Sequence, residues 1–484
     1  MTSSHPLYCR ISYDDFVHIF NIHSSGSVST SRRDIKTDSP PPDQSLRSCL
    51  IERLDLGYQE NQGNLFHSWA SLSQGCPNSG TSSPSGPMFA SFLTLLLLSP
   101  PLEVIGSLKR YNVKQNLLIT EPEEQCKYYY YPPANKARYN FPPIWKVAKL
   151  LANDTDGQAK WKAIEDSIPA DVAVKTMDSG DFSSTLKTYS TSDPDCWWTS
   201  HQCTTPKHPG IPADIATVPE PLTTGYGFDD GPNCSNNAFY DYLRKNNQKA
   251  TMFFIGSNVL GWPLEAQRAL FDGHEICVHT WSHRQMTSLS NEEAFAELWY
   301  SKSLAMQAIK TIVGVTPTCW RPPFGDTDDR IRAIAHGLGL TNILWKWDTF
   351  DWEVGPSSTT SPTTVDENYQ EFIHAAKNGT FDREGGILLL HESSNFTMSE
   401  AIKFYPAMKD AFKHIVPVGV ALNWTQPYVE KEFYQPSFSE YISGNTTKPL
   451  PAATLKRFGA GDRVRLELPV ALMASLLMFL PLLL

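Results

Sequence analysis

The sequence predicts an α/β protein in which strands and helices alternate along the chain. From Thr223 onward, short apolar runs are separated by stretches with helical periodicity, and acidic or His residues stand where several of the runs end. Repeated strand–helix units of this kind form either a parallel barrel or a doubly wound sheet. In a barrel the functional residues gather at the carboxyl ends of the strands. The pattern therefore places a functional site at one end of the sheet.

The apolar runs and helical stretches can be assigned in order. The candidate strands are 223–229, 250–256, 275–280, 318–321, 341–348, 386–391 and 415–422. The candidate helices are 236–246, 263–272, 291–313, 328–337, 365–377 and 399–413. The third helix is preceded by Ser290 with Glu293 three residues later, which is the pattern of a capping box. Together these elements predict a catalytic domain over residues 220–425.

The segments before this domain differ in composition. Residues 1–87 are rich in Ser, Pro, Gly and Asn, which predicts disorder or a mistaken N-terminal extension of a chain that starts at Met88. Residues 88–104 resemble a signal peptide, because the 11 largely apolar residues 88–98 are too few to span a bilayer. A short buried helix is the alternative. Residues 105–219 form a mixed N-terminal region with a Tyr/Pro cluster at 128–143, to which no chemistry is assigned.

The segments after the domain predict an anchor. Residues 426–465 form a polar linker, and 466–484 include 17 uncharged residues at the end, 468–484. Small residues upstream of such a run are typical of a GPI-attachment signal. A transmembrane tail anchor is the alternative interpretation.

Charge and cysteine usage exclude some classes of protein. The hydrophobic fraction of 41% excludes wholesale disorder, and a net charge of −10 without a dense basic run argues against a nucleic-acid partner. Nine cysteines without a CxxC pair argue against a structural zinc knuckle. Six glycosylation sequons favour the secretory route. They begin at Asn153, Asn233, Asn378, Asn395, Asn423 and Asn445.

Acidic and His residues suggest a metal site. Asp229 and Asp230 end the first strand before a Gly-Pro turn, and the pair His279 and His283 follows the third. Two His residues four positions apart can bind one metal ion together with a carboxylate, leaving coordination positions open for water. Because two adjacent carboxylates resist double ionisation, Arg321 is the candidate that keeps the second one charged.

Two later strand ends add candidates for proton transfer. Asp348 and Asp351 stand in one short segment, and His391 ends an apolar strand, where an imidazole suits a general acid. Each of these features alone is weak, since an Asp-Gly pair is usually a turn and a single His is usually structural. Their joint order at successive strand ends is what predicts a site.

These segments resemble the five ordered motifs of the polysaccharide deacetylases of carbohydrate esterase family 4, and within it the fungal chitin deacetylases of basidiomycete type. The match covers about residues 220–425, and Gly227 stands where the family usually has Thr. The counterparts are Gly227-Phe-Asp-Asp-Gly-Pro232, His279-Thr-Trp-Ser-His283, Arg321-Pro-Pro-Phe-Gly325, Asp348-Thr-Phe-Asp-Trp352 and Leu388-Leu-Leu-His391.

The resemblance implies a distorted (β/α) barrel and a site with one divalent metal, Zn²⁺ or Co²⁺. Its implied roles are metal ligation by Asp230, His279 and His283, base catalysis by Asp229 and acid catalysis by His391. Arg321 would orient Asp229, and Asp348 would tune His391, although the residues leave open whether Asp348 or Asp351 contacts it. Phe324, Trp352 and Leu389 would bind substrate, with Trp352 lining the pocket for the acetyl methyl group.

The resemblance also implies a function and a location. The expected reaction is hydrolysis of the N-acetyl groups of chitin to chitosan and acetate, in fungal cell wall remodelling. The expected location is the cell wall and the outer face of the plasma membrane, with a GPI lipid as the membrane contact and no protein partner. Deacetylation of xylan or peptidoglycan is one alternative. A wall protein that kept the fold without activity is another, against which the intact candidate residues argue.

Overall fold

The computed structural model describes residues 110–302, 308–355 and 358–459. The segments 1–87, 88–104 and 466–484, for which disorder, a signal peptide and an anchor are expected, lie outside this part of the chain. Within the described part, no helix is long and apolar enough to cross a membrane.

Ten strands and seventeen α-helices are found in the described ranges. The strands are β1 Thr217–Val218, β2 Thr223–Gly225, β3 Gly227–Gly231, β4 Thr251–Phe254, β5 Glu275–Val278, β6 Cys319–Trp320, β7 Thr341–Asn342, β8 Trp347–Asp348, β9 Gly385–Leu389 and β10 His414–Val416.

The helices alternate with the strands from β3 onward, as the sequence predicts. They are α1 Val113–Asn116, α2 Pro122–Gln125, α3 Pro132–Ala137, α4 Thr155–Ile164, α5 Ser183–Thr188, α6 Trp198–His201, α7 Asn237–Lys245, α8 Gly256–Gly261, α9 Pro263–Phe271, α10 Asn291–Lys302, α11 Ala308–Ile312, α12 Asp329–Gly337, α13 Pro362–Lys377, α14 Asn395–Ala411, α15 Val418–Ala421, α16 Phe438–Ile442 and α17 Ala452–Arg457.

The strand pairings close a distorted barrel. Strands β3, β4, β5, β6 and β7 pair in this order, and all of these pairs are parallel. Strand β8 follows β7 along the chain and pairs with β9, which pairs with β2. A parallel bridge between Asp229 and His391 then joins β3 to the residue beyond the end of β9. The prediction of a distorted (β/α) barrel is confirmed, and the carboxyl ends of β3 and β9 lie side by side.

Alternation along the strands sorts the core into two layers. Phe253 and Cys277 belong to a cluster with Ile343 and Leu389, whereas Met252 belongs to a larger cluster that contains the helix residues. Because neighbouring strand residues point to opposite faces, the first cluster fills the barrel and the second lies beneath the helices. Residues from the region before β1, such as Val113, join the outer cluster.

Several of the predicted elements differ from the structure, and the candidate strand 223–229 forms two strands, β2 and β3, which belong to different sheets. The candidate strand 415–422 is wrong in its second half, because β10 ends at Val416 and helix α15 begins at Val418. Pro417 has no N–H to continue the strand ladder, and the N–H of Val418 donates to Thr251 Oγ1 at 2.8 Å. The candidate 341–348 forms two short strands, because the N–H of Leu344, in between, donates to Ile215.

Local capping explains where two helices begin. Ser290 Oγ accepts from the N–H of Glu293 at 3.3 Å, and Glu293 Oε2 accepts from the N–H of Ser290 at 3.2 Å, so the predicted capping box is confirmed. Helix α13 begins at Pro362 rather than at residue 365, because Ser361 caps it and proline is favoured in the first turn.

The six cysteines of the described ranges form three disulfides, a pairing that the sequence leaves open. The bonds are Cys126–Cys234, Cys196–Cys203 and Cys277–Cys319. The first ties the N-terminal region to the segment after β3, and the third joins the neighbouring strands β5 and β6 inside the barrel.

Candidate active site

Two adjacent carboxylates stand at the end of β3 and face different partners. Asp229 is buried, and its Oδ1 accepts a hydrogen bond from Arg321 at 2.7 Å. Its Oδ2 lies 3.8 Å from Nε2 of His279. Asp230 has a φ of 71°, which turns its side chain away from that of Asp229. Asp229 is therefore paired with Arg321, whereas Asp230 lies against the two histidines His279 and His283.

Asp230, His279 and His283 form the cluster that the sequence predicts. Oδ1 of Asp230 lies 3.4 Å from Nε2 of His279 and 3.0 Å from Nε2 of His283. One ligand atom from each residue lies within 4.8 Å of the others. Nδ1 of His279 lies 2.8 Å from the backbone oxygen of Arg321, which directs Nε2 towards the cluster. An outer hydrogen bond of this kind is typical of histidine ligands.

The cluster fits a divalent cation. Oδ1 of Asp230 is buried and, although two imidazole nitrogens lie within 3.4 Å, no described residue donates a hydrogen bond of suitable geometry to it. Burial alone would raise the pKa of the Asp230 carboxyl, but the imidazoles of His283 and His279 outweigh it and hold that pKa well below its usual range. Two imidazole nitrogens and one carboxylate oxygen form a donor set that Zn²⁺ and similar metals accept, with positions left for water.

Backbone strain occurs around the cluster, as it does at several other positions of the described chain. Five residues with side chains adopt positive φ within the motifs, which costs on the order of 1–3 kcal/mol each outside glycine. They are Asp230 (71°), Thr280 (62°), His283 (55°), Phe324 (59°) and Phe350 (55°). Such conformations persist where the surrounding structure holds them. Four of the five residues, all except Thr280, line one cavity.

Arg321 is buried within the barrel. Its guanidinium carbon lies 4.0 Å from the ring centroid of Phe253 and 5.6 Å from that of Trp345. Burial lowers the pKa of Arg321, and the Asp229 carboxylate opposes this effect. A cation stacked between two rings and bonded to one carboxylate holds that carboxylate in a single orientation.

Asp351, and not Asp348, contacts His391. Nδ1 of His391 lies 2.6 Å from Oδ1 of Asp351, and the N–H of His391 donates to Oδ2 at 3.1 Å. Burial lowers the pKa of His391, but the Asp351 carboxylate, with smaller contributions from Asp230 and Asp229, outweighs burial and raises the pKa to about 9. The tuning role that the resemblance implies for Asp348 therefore belongs to Asp351, because the turn at Phe350 carries the second aspartate back under the end of β9.

Asp348 lines the cavity instead. Its Oδ1 accepts from the N–H of Phe350 at 2.8 Å, and burial raises its pKa to about 6.

The clusters open into one cavity of about 320 Å³. The three residues expected to bind substrate, Phe324, Trp352 and Leu389, line it together with Asp229, His391 and the cluster residues. Phe324 lies 4.8 Å from His283 between ring centroids, and Trp352 lies 6.5 Å from His391. Apolar walls around a few convergent polar groups are typical of small-molecule sites.

Sequence reasoning missed five residues that line the cavity: Trp198, Gln202, Trp345, Lys346 and Phe350. The first two come from the region to which no chemistry was assigned. A tryptophan pair between two closely spaced cysteines, 196–203, was the only signal.

The sequon asparagines lie at the surface of the described chain. Asn153, Asn378, Asn395, Asn423 and Asn445 are exposed. Asn233 is half-buried, and its Nδ2 donates to the backbone of Ser393 at 2.6 Å. Glycosylation at these positions stays a prediction.

Comparison with known proteins identifies relatives of the chain. A family model described as polysaccharide deacetylase matches residues 221–343. "Chitin deacetylase 2" of Cryptococcus neoformans var. grubii serotype A is 52% identical over 332 residues, which are 68% of this chain and 71% of that protein. "Chitin deacetylase" of Amylomyces rouxii is 44% identical over 317 residues, 64% of this chain and 73% of that protein. The solved chitin deacetylase of Colletotrichum lindemuthianum matches 46% of this chain and 98% of its own at 23% identity, with a TM-score of 0.40.

Proposed function

This chain belongs to the polysaccharide deacetylase family, and we propose that it hydrolyses the N-acetyl groups of N-acetylglucosamine residues in chitin. The products are chitosan and acetate. One observation carries the proposal: one cavity is lined by Asp229, which is paired with Arg321, by the Asp230–His279–His283 cluster and by His391, which is paired with Asp351. The relatives named chitin deacetylases at 44–52% identity favour chitin as the polymer.

A divalent metal, Zn²⁺ or Co²⁺, held by Asp230, His279 and His283 would polarise the acetyl carbonyl and acidify a water molecule. The protein residues supply the proton transfers. Asp229 accepts a proton from the attacking water through Oδ2, since Arg321 occupies Oδ1. A C–O bond forms to the acetyl carbon, and the C–N bond then breaks.

His391 protonates the leaving nitrogen. Its Nδ1 is bonded to Asp351, so Nε2 is the atom available to the cavity. A pKa of about 9 keeps the imidazole protonated at neutral pH, as a general acid requires. The released amine and acetate account for all the atoms of the amide and the water.

The apolar wall fits the acetyl group. Trp352 and Leu389 lie on the His391 side of the cavity, and Phe324 lies beside His283. An acetyl methyl group packed there would lose water contact while the amide faces the polar residues. This arrangement supports Trp352 as the lining of the methyl pocket.

Acetate release from three polymers tests the proposal. The purified protein is incubated with chitin oligomers, acetylated xylan and peptidoglycan at equal acetyl concentration. Release from chitin oligomers with the highest kcat/KM is the expected result. Faster acetate release from xylan or peptidoglycan would make that polymer, and not chitin, the preferred substrate. No acetate release from any of the three would favour a binding protein without activity.

We also propose that the protein acts outside the cell in wall remodelling. Three disulfides in the described chain are typical of proteins that fold in the secretory pathway, and exposed sequon asparagines are consistent with it. The GPI attachment expected from residues 466–484 stays a prediction. Release of activity from intact cells by a phosphatidylinositol-specific phospholipase tests both the location and the anchor.

A further inference from the structure

The turn between Cys196 and Cys203, here called the 196–203 turn, contributes to the cavity from outside the matched family range of residues 221–343. It contains helix α6 and is closed by a disulfide. Trp198 and Gln202 both line the cavity that holds the acid, the base and the metal cluster.

The 196–203 turn is held firmly against the loop that follows the Arg321 motif. Asp326 Oδ1 accepts from Trp197 Nε1 at 2.9 Å and from Thr199 Oγ1 at 2.6 Å. Arg332 donates to the backbone oxygens of both cysteines, to Cys196 at 2.6 Å and to Cys203 at 2.8 Å. Because these groups are largely buried, the turn has one fixed position relative to the barrel.

Trp198 packs against Trp345, which lines the cavity, and against Gly325 in the segment that follows Arg321. Its ring centroid lies 4.8 Å from that of Trp345. It also covers Gly325, where an added Cβ would lie 2.3 Å from a ring carbon of Trp198. The close approach shows that the indole is seated on the backbone of the family motif, so that the ring edge is part of the wall.

Gln202 differs from Trp198 in exposure and in bonding. It adopts a φ of 50° at the end of α6 and is exposed. Its side-chain amide makes no hydrogen bond to the described ranges of the chain, whereas its N–H donates to the oxygen of Trp198. A free amide offers two donors and one acceptor, which suits the hydroxyl and acetamide groups of a sugar.

We propose that the 196–203 turn is a substrate-binding wall that sets the preference for polymer over single sugar. The reacting acetamide lies between Asp229 and His391, which are both buried, whereas Gln202 stands at the exposed rim. Gln202 therefore hydrogen-bonds to a sugar next to the one that loses its acetyl group, and Trp198 supplies an apolar surface beneath it. The inference rests on the proposed function and deepens it.

Kinetics over a series of chitin oligomers test the wall. Gln202→Ala is compared with wild type on N-acetylglucosamine and on oligomers of two to five sugars, with acetate as the readout. Loss of one hydrogen bond is expected to lower kcat/KM for the tetramer by about five- to tenfold, mainly through KM, with a smaller effect on the single sugar. Trp198→Phe should show the same dependence on length.

Gln370→Ala is the matched control, because Gln370 is exposed on α13 and does not line the cavity. It is expected to behave as wild type. The thermal midpoint of each variant separates misfolding from lost binding. The proposed role of the 196–203 turn is contradicted if Gln202→Ala has the same kcat/KM as the control on every oligomer. It is also contradicted if kcat/KM falls by the same factor on the single sugar and on the tetramer. Neither result would contradict the proposed deacetylase function. If wild type releases no acetate from any oligomer, the proposed function fails instead.

Discussion

Nδ1 of His391 lies 2.6 Å from Oδ1 of Asp351, and this pairing fixes which imidazole nitrogen faces the cavity. The carboxylate also accepts from the backbone N–H of His391, so the ring and the main chain are held together. His391 lines the same cavity as Asp229, and the two residues are joined by a parallel backbone bridge. Asp351 is thus paired with the proposed acid, His391, whereas Asp229, the proposed base, is paired with Arg321.

Asp351→Asn is expected to shift the alkaline limb of the pH–activity profile to lower pH. Burial opposes the charged form of His391, but its folded-state pKa is raised from 6.5 to about 9, mainly by the charge and hydrogen bond of Asp351 and to a smaller extent by Asp230 and Asp229. The protonated acid therefore persists up to about pH 9 in wild type and is lost earlier without the charge. The profile of kcat/KM for a chitin oligomer measures the shift.

Asp348→Asn is the control for this variant, since Asp348 lines the same cavity without bonding to His391. Its alkaline limb should move less than that of Asp351→Asn. In wild type, the His391–Asp351 ion pair adds to the free energy of unfolding at pH values below 6.5. This contribution is lost as the pH rises through about 9, where His391 loses its proton. Equal shifts in the two variants would return the tuning role to Asp348.

Asp229→Asn should keep its metal and lose most of its turnover. The amide has the same shape and can still accept from Arg321, but it cannot take a proton from water. General base catalysis contributes typically about 10²–10⁴-fold, so kcat should fall by a factor in this range. Acetate release gives kcat, and elemental analysis gives the metal content. Near-normal turnover would assign the base to another group.

The bound metal should be lost in each of three single variants, Asp230→Ala, His279→Ala and His283→Ala. The cluster has three ligands, so each one supplies a large share of the affinity. Elemental analysis of the purified variants checks this result. His336→Ala, an exposed histidine on α12, is the control and should keep the wild-type content. A full metal content in any of the three variants would contradict the ligand assignment.

Gly325→Ala should destabilise the fold by about 1–3 kcal/mol, because the added Cβ would overlap the Trp198 ring. Gly325 also has a positive φ of 68°, which Ala adopts at a cost. Gly444→Ala is the matched control, with a φ of 99° and nothing within 4 Å of its added Cβ. Urea unfolding of both variants isolates the overlap. If both variants lose the same free energy of unfolding, the added Cβ at position 325 does not overlap the Trp198 ring.

The sequence by itself determined the strand–helix alternation and which polar residues end the strands. Asp229, Asp230, His279 and His283 could be placed at one end of the barrel because the carboxyl ends of parallel strands meet there. Arg321 and His391 were candidates for the same reason, because each stands at the end of a predicted strand. These inferences succeed because each depends on local pattern, and a strand end is a local property of the chain.

Only the tertiary structure decided between Asp348 and Asp351, since both follow the same strand and the backbone turn at Phe350 sets which one reaches His391. It also decided the disulfide pairing and brought the 196–203 turn to the cavity. Trp198 contacts Gly325, although the two residues are 127 positions apart in the sequence. No local period encodes such a contact, because it arises from how the packed layers close on one another.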